Sequence, residues 1–193
     1  MLFNSIDFAI FLPIVFILYW FVTNKNLKLQ NVLIVVSSYI FYGWWDWRFL
    51  SLVLYSSVVD FLVGIWLGKQ NNPVKRKLLL SISIAGNLGL LVFFKYYNFF
   101  LDSFVDAFSF FGYELSTRSL NVILPVGISF YTFQTLSYGV DVYRKQLEPT
   151  RDFIAFSAFV TFFPQLVAGP IERATNLLPQ FYSHRNFNYA RAV

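Results

Sequence analysis

The sequence predicts an all-α polytopic membrane protein with about six transmembrane or re-entrant helices. Three observations carry that reading. Of 193 residues, 57% are hydrophobic and only 13% charged, against about 25% charged in a soluble domain. Aromatics reach 22%, with 25 Phe, 12 Tyr and 5 Trp, which suits a chain dissolved in acyl tails with rings at both interfaces. The apolar runs are continuous rather than alternating in period two, so they read as helices and not as barrel strands.

Six runs approach the roughly 20 residues that span a hydrocarbon core: 6–22, 32–42, 49–67, 78–101, 122–140 and 153–168. Residues 1–22 carry no Lys or Arg, only Asp7, and lack a small-residue cleavage site. The first run is therefore expected to stay as a span rather than to be a cleaved signal. The second is short, and is expected to be tilted, re-entrant or joined to the third around GWWDW (43–47).

Within the third run, Asp60 lies in LYSSVVDFLVG (54–64). Ser56, Ser57 and Gly64 share its helical face. Counting from the basic loop at about 1.5 Å per residue puts Asp60 roughly 12 Å deep, and Asn87 of the fourth run roughly 15 Å deep. A carboxylate at that depth must face protein or water, so an Asp60–Asn87 hydrogen bond is expected as an intramembrane structural pair, with contact to substrate as the alternative. Lys95, in FFKYYNFF (93–100), has two readings: a lysine snorkelling to the interface, or a contact for an anionic donor or polymer.

The fifth run, LPVGISFYTFQTLSYGVDVYR (124–144), mixes Pro125, Gly127 and Gly139 with Ser129, Thr132 and Gln134. Small residues favour close helix packing, whereas the Gln134 amide needs partners at depth and is a candidate lining for a polar substrate path. The sixth run ends in FFPQLVAGPIERATN (162–176). Pro164 can kink the helix and Gly169–Pro170 can end it. Irregular backbone at membrane depth survives only against protein or a wet cavity. A re-entrant turn bordering a cavity is expected, with Gln165, Glu172 and Arg173 as further lining candidates. The alternative is an ordinary helix stop followed by an amphipathic surface helix.

Charge orients the chain. Loop 23–31 carries Lys25 and Lys28, and loop 68–77 carries Lys69, Lys75, Arg76 and Lys77. Loop 102–120 carries Asp102, Asp106 and Glu114 against Arg118. The positive-inside rule puts the first two loops in the cytoplasm and the third, with the N-terminus, outside. The net charge of +5 is dispersed over loops, without the clustered face of a nucleic-acid binder. The absence of Cys excludes disulfides, thiolate metal sites and an S-acyl enzyme within this stretch. No metal-ligand cluster or phosphate-cradling loop is visible. His184, the one histidine, sits in the polar stretch FYSHRNFNYAR (181–191) with no orienting partner, and reads as a surface residue.

These stretches, with FLPIVFILYW (11–20), SSYIFYGWWDWRFL (37–50) and DFLVG (60–64), occur in an order that resembles the membrane-bound O-acyltransferases, specifically their alginate O-acetyltransferase-like branch. LPVGISFYTFQTLSYGVDVYR and FFPQLVAGPIERA (162–174) are the most specific. The resemblance covers nearly all of 1–193 as the N-terminal part of one membrane domain, an incomplete form of the family fold. It implies an inner-membrane enzyme that passes an acyl group, usually acetyl, from a cytoplasmic thioester donor or acyl carrier through a tunnel. The acceptor would be an extracytoplasmic polysaccharide, reached directly or through a partner transferase. The resemblance also implies that the family's catalytic histidine lies beyond residue 193. No catalytic residue is therefore assigned, no cofactor is expected to be bound, and this stretch alone is expected to be an inactive fragment. Two other readings compete: a polymer or lipid transporter subunit, and an inactive membrane scaffold.

Overall fold

The computed structural model describes residues 1, 3–110, 125–170, 172–185 and 187. Among them the chain forms helices without strands: α1 (Ile6–Ile17), α2 (Leu27–Asp46), α3 (Leu50–Lys69), α4 (Pro73–Phe110), α5 (Ile128–Tyr143), α6 (Phe153–Thr161), α7 (Phe163–Ala168) and α8 (Ala174–Leu177). A π-turn, Leu18–Val22, prolongs α1, and 3-10 turns occupy Trp47–Phe49 and Leu178–Phe181. Two stretches, Leu27–Lys69 and Pro73–Ser109, are long and apolar enough to cross a membrane. Large apolar side chains cover the exterior, from Ile10, Ile14 and Phe21 on α1 to Leu78, Ile82 and Phe93 on α4. Such a surface belongs in lipid, and the molecule is an all-α membrane protein.

Short polar side chains start the helices. Ser5 accepts from Phe8 N at 3.2 Å and Asn26 from Leu29 N at 3.2 Å. Asn72 accepts from Val74 N at 2.9 Å, with Pro73 opening α4, and Asp152 accepts from Ile154 N at 2.9 Å. Each satisfies backbone donors that the first turn leaves free. The Asn26 cap lengthens the second element beyond the expected 32–42, because Lys28, Gln30 and Asn31 join the helix.

The expected joint at GWWDW is real and sharp. Asp46 leaves helical geometry at φ −159°, ψ 109° and accepts from the backbone N and the guanidinium of Arg48. α3 then turns back beside α2. Asn31 at the start of α2 and Leu67 at the end of α3 thus lie at the same, basic end of the molecule, while Phe41 lies at the far end, where the Met1 amino group donates to its carbonyl at 2.9 Å.

Three further sequence boundaries are corrected. α4 runs 38 residues, about 57 Å at 1.5 Å per residue. It continues helically through Asp102 and Asp106, which the sequence reading put in a loop, because no Gly or Pro interrupts residues 90–110. The remainder of that loop and the expected start of the fifth run at Val122 lie outside the described residues. α5 begins only after Pro125 and the left-handed Gly127 (φ 77°) and runs on to Tyr143. The sixth run is not one helix but two, broken at Phe162 (φ −50°, ψ 101°).

The core forms where α5 packs against α3 and α4 while α6 sits between α2 and α3. Small residues set that closeness. A Cβ on Gly64 would overlap the Tyr138 ring, and one on Gly68 would overlap Pro149. Tyr138 cannot yield, being fully buried with its hydroxyl accepting from Thr150 N at 3.1 Å. Arg76, read from sequence as a loop charge, is instead buried. Its guanidinium donates to Leu67 O and Gln70 O at the end of α3 and to Val142 O and Tyr143 O at the end of α5. One cation therefore caps two helix C-termini, where carbonyls are unpaired and the dipole is negative.

Candidate functional site

Residues 150–185 build the feature that sets this chain apart from a bundle of plain spans. α6 starts at the basic end, capped by Asp152, and runs antiparallel to α5. The Phe156 ring lies 4.7 Å from that of Tyr138, and Gln134 Nε2 donates to Phe159 O at 2.8 Å. At Phe162 the helix breaks, and Pro164 opens α7 instead of kinking a continuous rod. Proline has no N–H to offer the preceding turn. In an unbroken helix Phe163 N would bond Phe159 O. Here Ser38 Oγ on α2 accepts from Phe163 N at 3.2 Å, and Gln134 serves the orphaned carbonyl. Side chains from two neighbouring helices thus satisfy the backbone of the break, as buried polar groups require.

α7 reaches the far end, where Leu166 O faces Gly127 so closely that a Cβ there would sit 3.1 Å away. The turn closes when Gln165 Nε2 donates to Pro170 O at 2.7 Å and Gly169 N to Gln165 O at 3.2 Å. The chain then returns. Arg173 lies beside Asp141 near the C-terminus of α5, with Nη2 3.9 Å from Oδ1. Asn31 Nδ2 donates to Phe181 O at 2.8 Å, Gln30 Nε2 to Arg185 O at 3.2 Å, and Tyr182 Oη to Thr150 Oγ1. Burial pushes the Tyr182 hydroxyl up, and lowers the Arg185 guanidinium. Entry and exit therefore share the basic end, so residues 153–170 and 172–182 form a hairpin that goes in and comes back.

The five residues proposed to line a substrate path are placed differently from one another. Gln134 and Gln165 are buried and bonded to hairpin backbone. Glu172 is half-buried and Arg173 exposed, both on the returning limb. Lys95 stands apart on α4, exposed, its ammonium 5.6 Å from the Tyr96 ring. Asp60 and Asn87 are brought together: Asn87 Nδ2 donates to Asp60 Oδ2 at 2.7 Å, and Ser83 Oγ donates to Oδ1. His184 is exposed. No group of three or more His, Cys, Asp or Glu side chains converges among the described residues.

Sequence reasoning passed over Asp141, Gln30 and Asn31. Asp141 is 1% exposed, and neither carboxylate oxygen has a hydrogen bond. Its spacing from Gln134 and Tyr138 already puts it on the buried face of α5, which is the signal that could have found it.

No protein-family model and no solved structure matches the chain. Curated relatives do. A probable alginate O-acetylase of Pseudomonas putida is 40% identical over 185 residues, covering 94% of this chain and 37% of that protein. The probable alginate O-acetylase of Pseudomonas aeruginosa is 37% identical over 189 residues, covering 96% and 35%. A peptidoglycan O-acetyltransferase of Helicobacter pylori is 30% identical over 213 residues, covering 96% and 40%. Over nearly its whole length the chain thus resembles the alginate O-acetylase-like branch of the membrane-bound O-acyltransferases, and it spans little more than a third of the length of those relatives.

Proposed function

We propose that this chain is the hairpin-bearing part of a membrane O-acyltransferase. The enzyme moves an acyl group, acetyl in the first instance, from a cytoplasmic thioester donor to hydroxyls of an extracytoplasmic polysaccharide. The single observation that carries this reading is the identity of 37–40% to two alginate O-acetylases over 94–96% of the chain, hairpin included. The architecture supports it. A broken, returning helix pair inside a bundle is where polar backbone and side chains can border a passage without facing lipid. Lys25, Lys28, Lys69, Lys75 and Lys77 support an orientation with the basic end cytoplasmic and the N-terminus outside, and insertion in the inner membrane in several passes goes with the family resemblance.

In this reading the residues of this chain position and seal rather than react. Gln134 and Ser38 hold the break, Gln165 holds the hairpin tip, and Asp141 holds Arg173 on the returning limb. The test is disruption and complementation of the gene in its host, with ester-linked acetate on the exported polysaccharide as readout. Loss and rescue of acetate at unchanged polymer yield support the proposal. Unchanged acetate with reduced polymer export would replace it with the transporter reading.

A further inference from the structure

A cleft of about 330 Å³ opens beside the hairpin, walled by Leu12, Val15 and Phe16 of α1 and by Phe162, Pro164 and Phe181. That volume is within the range of small-molecule sites, and the walls are almost wholly apolar. At one end lies Arg185. Its guanidinium rests over the rings of Tyr19 and Phe181 at 5.5 and 5.3 Å. Nη2 donates to Asn31 Oδ1, whereas Nε is buried with no acceptor. Among the described residues the only ion pairs are Asp46–Arg48 and Asp141–Arg173, so Arg185 has no carboxylate partner there.

A half-buried cation at the edge of an apolar cleft calls for an anion carrying an apolar tail. The neighbourhood matches the headgroup level of a bilayer: Arg185 is fixed to the first turns of α2 at the basic end, next to Tyr19 and Trp20. α1, which forms one wall, has no fully buried side chain, and Phe8 and Phe11 pack its inner side on Phe41 and Phe163. A guanidinium offers a planar fork that fits phosphate oxygens, and basic pockets between membrane helices at this level take anionic headgroups.

We propose that this cleft is a binding site for one anionic phospholipid of the adjoining leaflet, its acyl chain between α1 and the Phe162 break and its phosphate on Arg185. The bound lipid completes the packing of the hairpin against α1. The site does not depend on the acyltransferase reading.

The full chain, purified in neutral detergent, is stripped of lipid and offered phosphatidylglycerol or phosphatidylcholine with identical acyl chains. Retention is read by native mass spectrometry and the unfolding midpoint by a thermal ramp. Phosphatidylglycerol is expected to bind about fivefold more tightly, the effect of one basic side chain near a membrane surface, and to raise the midpoint more. Arg185→Gln removes that preference. Val15→Trp fills the cleft and lowers retention of both lipids while leaving Arg185 in place. Equal retention of the two lipids by the unaltered chain overturns the proposal. So does a preference that survives Arg185→Gln, or retention unaffected by Val15→Trp. Stabilisation by inorganic phosphate equal to that by phosphatidylglycerol would show that the tail is not engaged, and would also overturn it.

Discussion

Asp60 and Asp141 are both 1% exposed, yet their surroundings differ. Asp60 accepts from Ser83 and Asn87 and links α3 to α4. Leaving the donors of Ser83 and Asn87 without an acceptor costs about 1–3 kcal/mol each. Asp60→Ala is therefore expected to lower the unfolding midpoint clearly, and Asp60→Asn, which keeps one acceptor, to lower it less. If Asp60→Asn folds with an unchanged midpoint but fails in the complementation assay proposed above, the structural reading of the pair fails and the substrate-contact alternative is favoured. Among the described residues the ion-pair partner of Asp141 is Arg173, at 3.9 Å. Removing the cation strands a buried carboxylate, whereas removing the carboxylate leaves an arginine that water can solvate. Arg173→Gln should thus destabilise more than Asp141→Asn, and the double variant should resemble Asp141→Asn. A double-mutant cycle of thermal unfolding checks this, and additive effects would mean that the two residues do not interact.

Elements in this protein are held by side chains that serve other elements' backbones. Gln134 caps the end of α6 and Arg76 caps α3 and α5 together. Gln134→Leu removes the donor to Phe159 O and should cost about 1–3 kcal/mol, lowering the midpoint in proportion. Full stability with failure in the complementation assay proposed above would instead favour the substrate-path expectation for Gln134. Arg76→Lys is expected to recover only part of what Arg76→Met loses, because an ammonium cannot reach two helix ends with a planar fork. Equal midpoints for the two variants would contradict the double cap.

At the scale of the whole molecule, the hairpin makes a topological claim. Arg151 and Ser183 flank it at the same end, whereas Asn4 lies at the other. The absence of Cys makes single-cysteine labelling clean. Arg151→Cys and Ser183→Cys should react with a membrane-impermeant maleimide from the same side, that of Lys75→Cys, and Asn4→Cys from the opposite side. Labelling of positions 151 and 183 from opposite faces would turn the hairpin into an ordinary crossing.

Much of this architecture was legible from residue order. Continuous apolar runs dictated helices, because backbone in lipid must bond within its own segment. Pro164, Gly169 and Pro170 marked the break and the turn, since their geometry is local. The Asp60–Asn87 pairing followed from depth counting alone. Other features required the fold. Arg76 looks like one more basic loop residue until α5 brings its carbonyl end alongside. Asp141 and Arg173 are 32 positions apart in the chain and meet only because the hairpin returns. The same return joins Arg185 to Asn31 and opens the cleft beside α1. The sequence by itself determined that the chain is helical and where Pro164, Gly169 and Pro170 interrupt it, because those are short-range matters of hydrogen bonding and sterics. The tertiary structure alone decided which polar groups face one another, because that depends on how far the chain travels before it turns back.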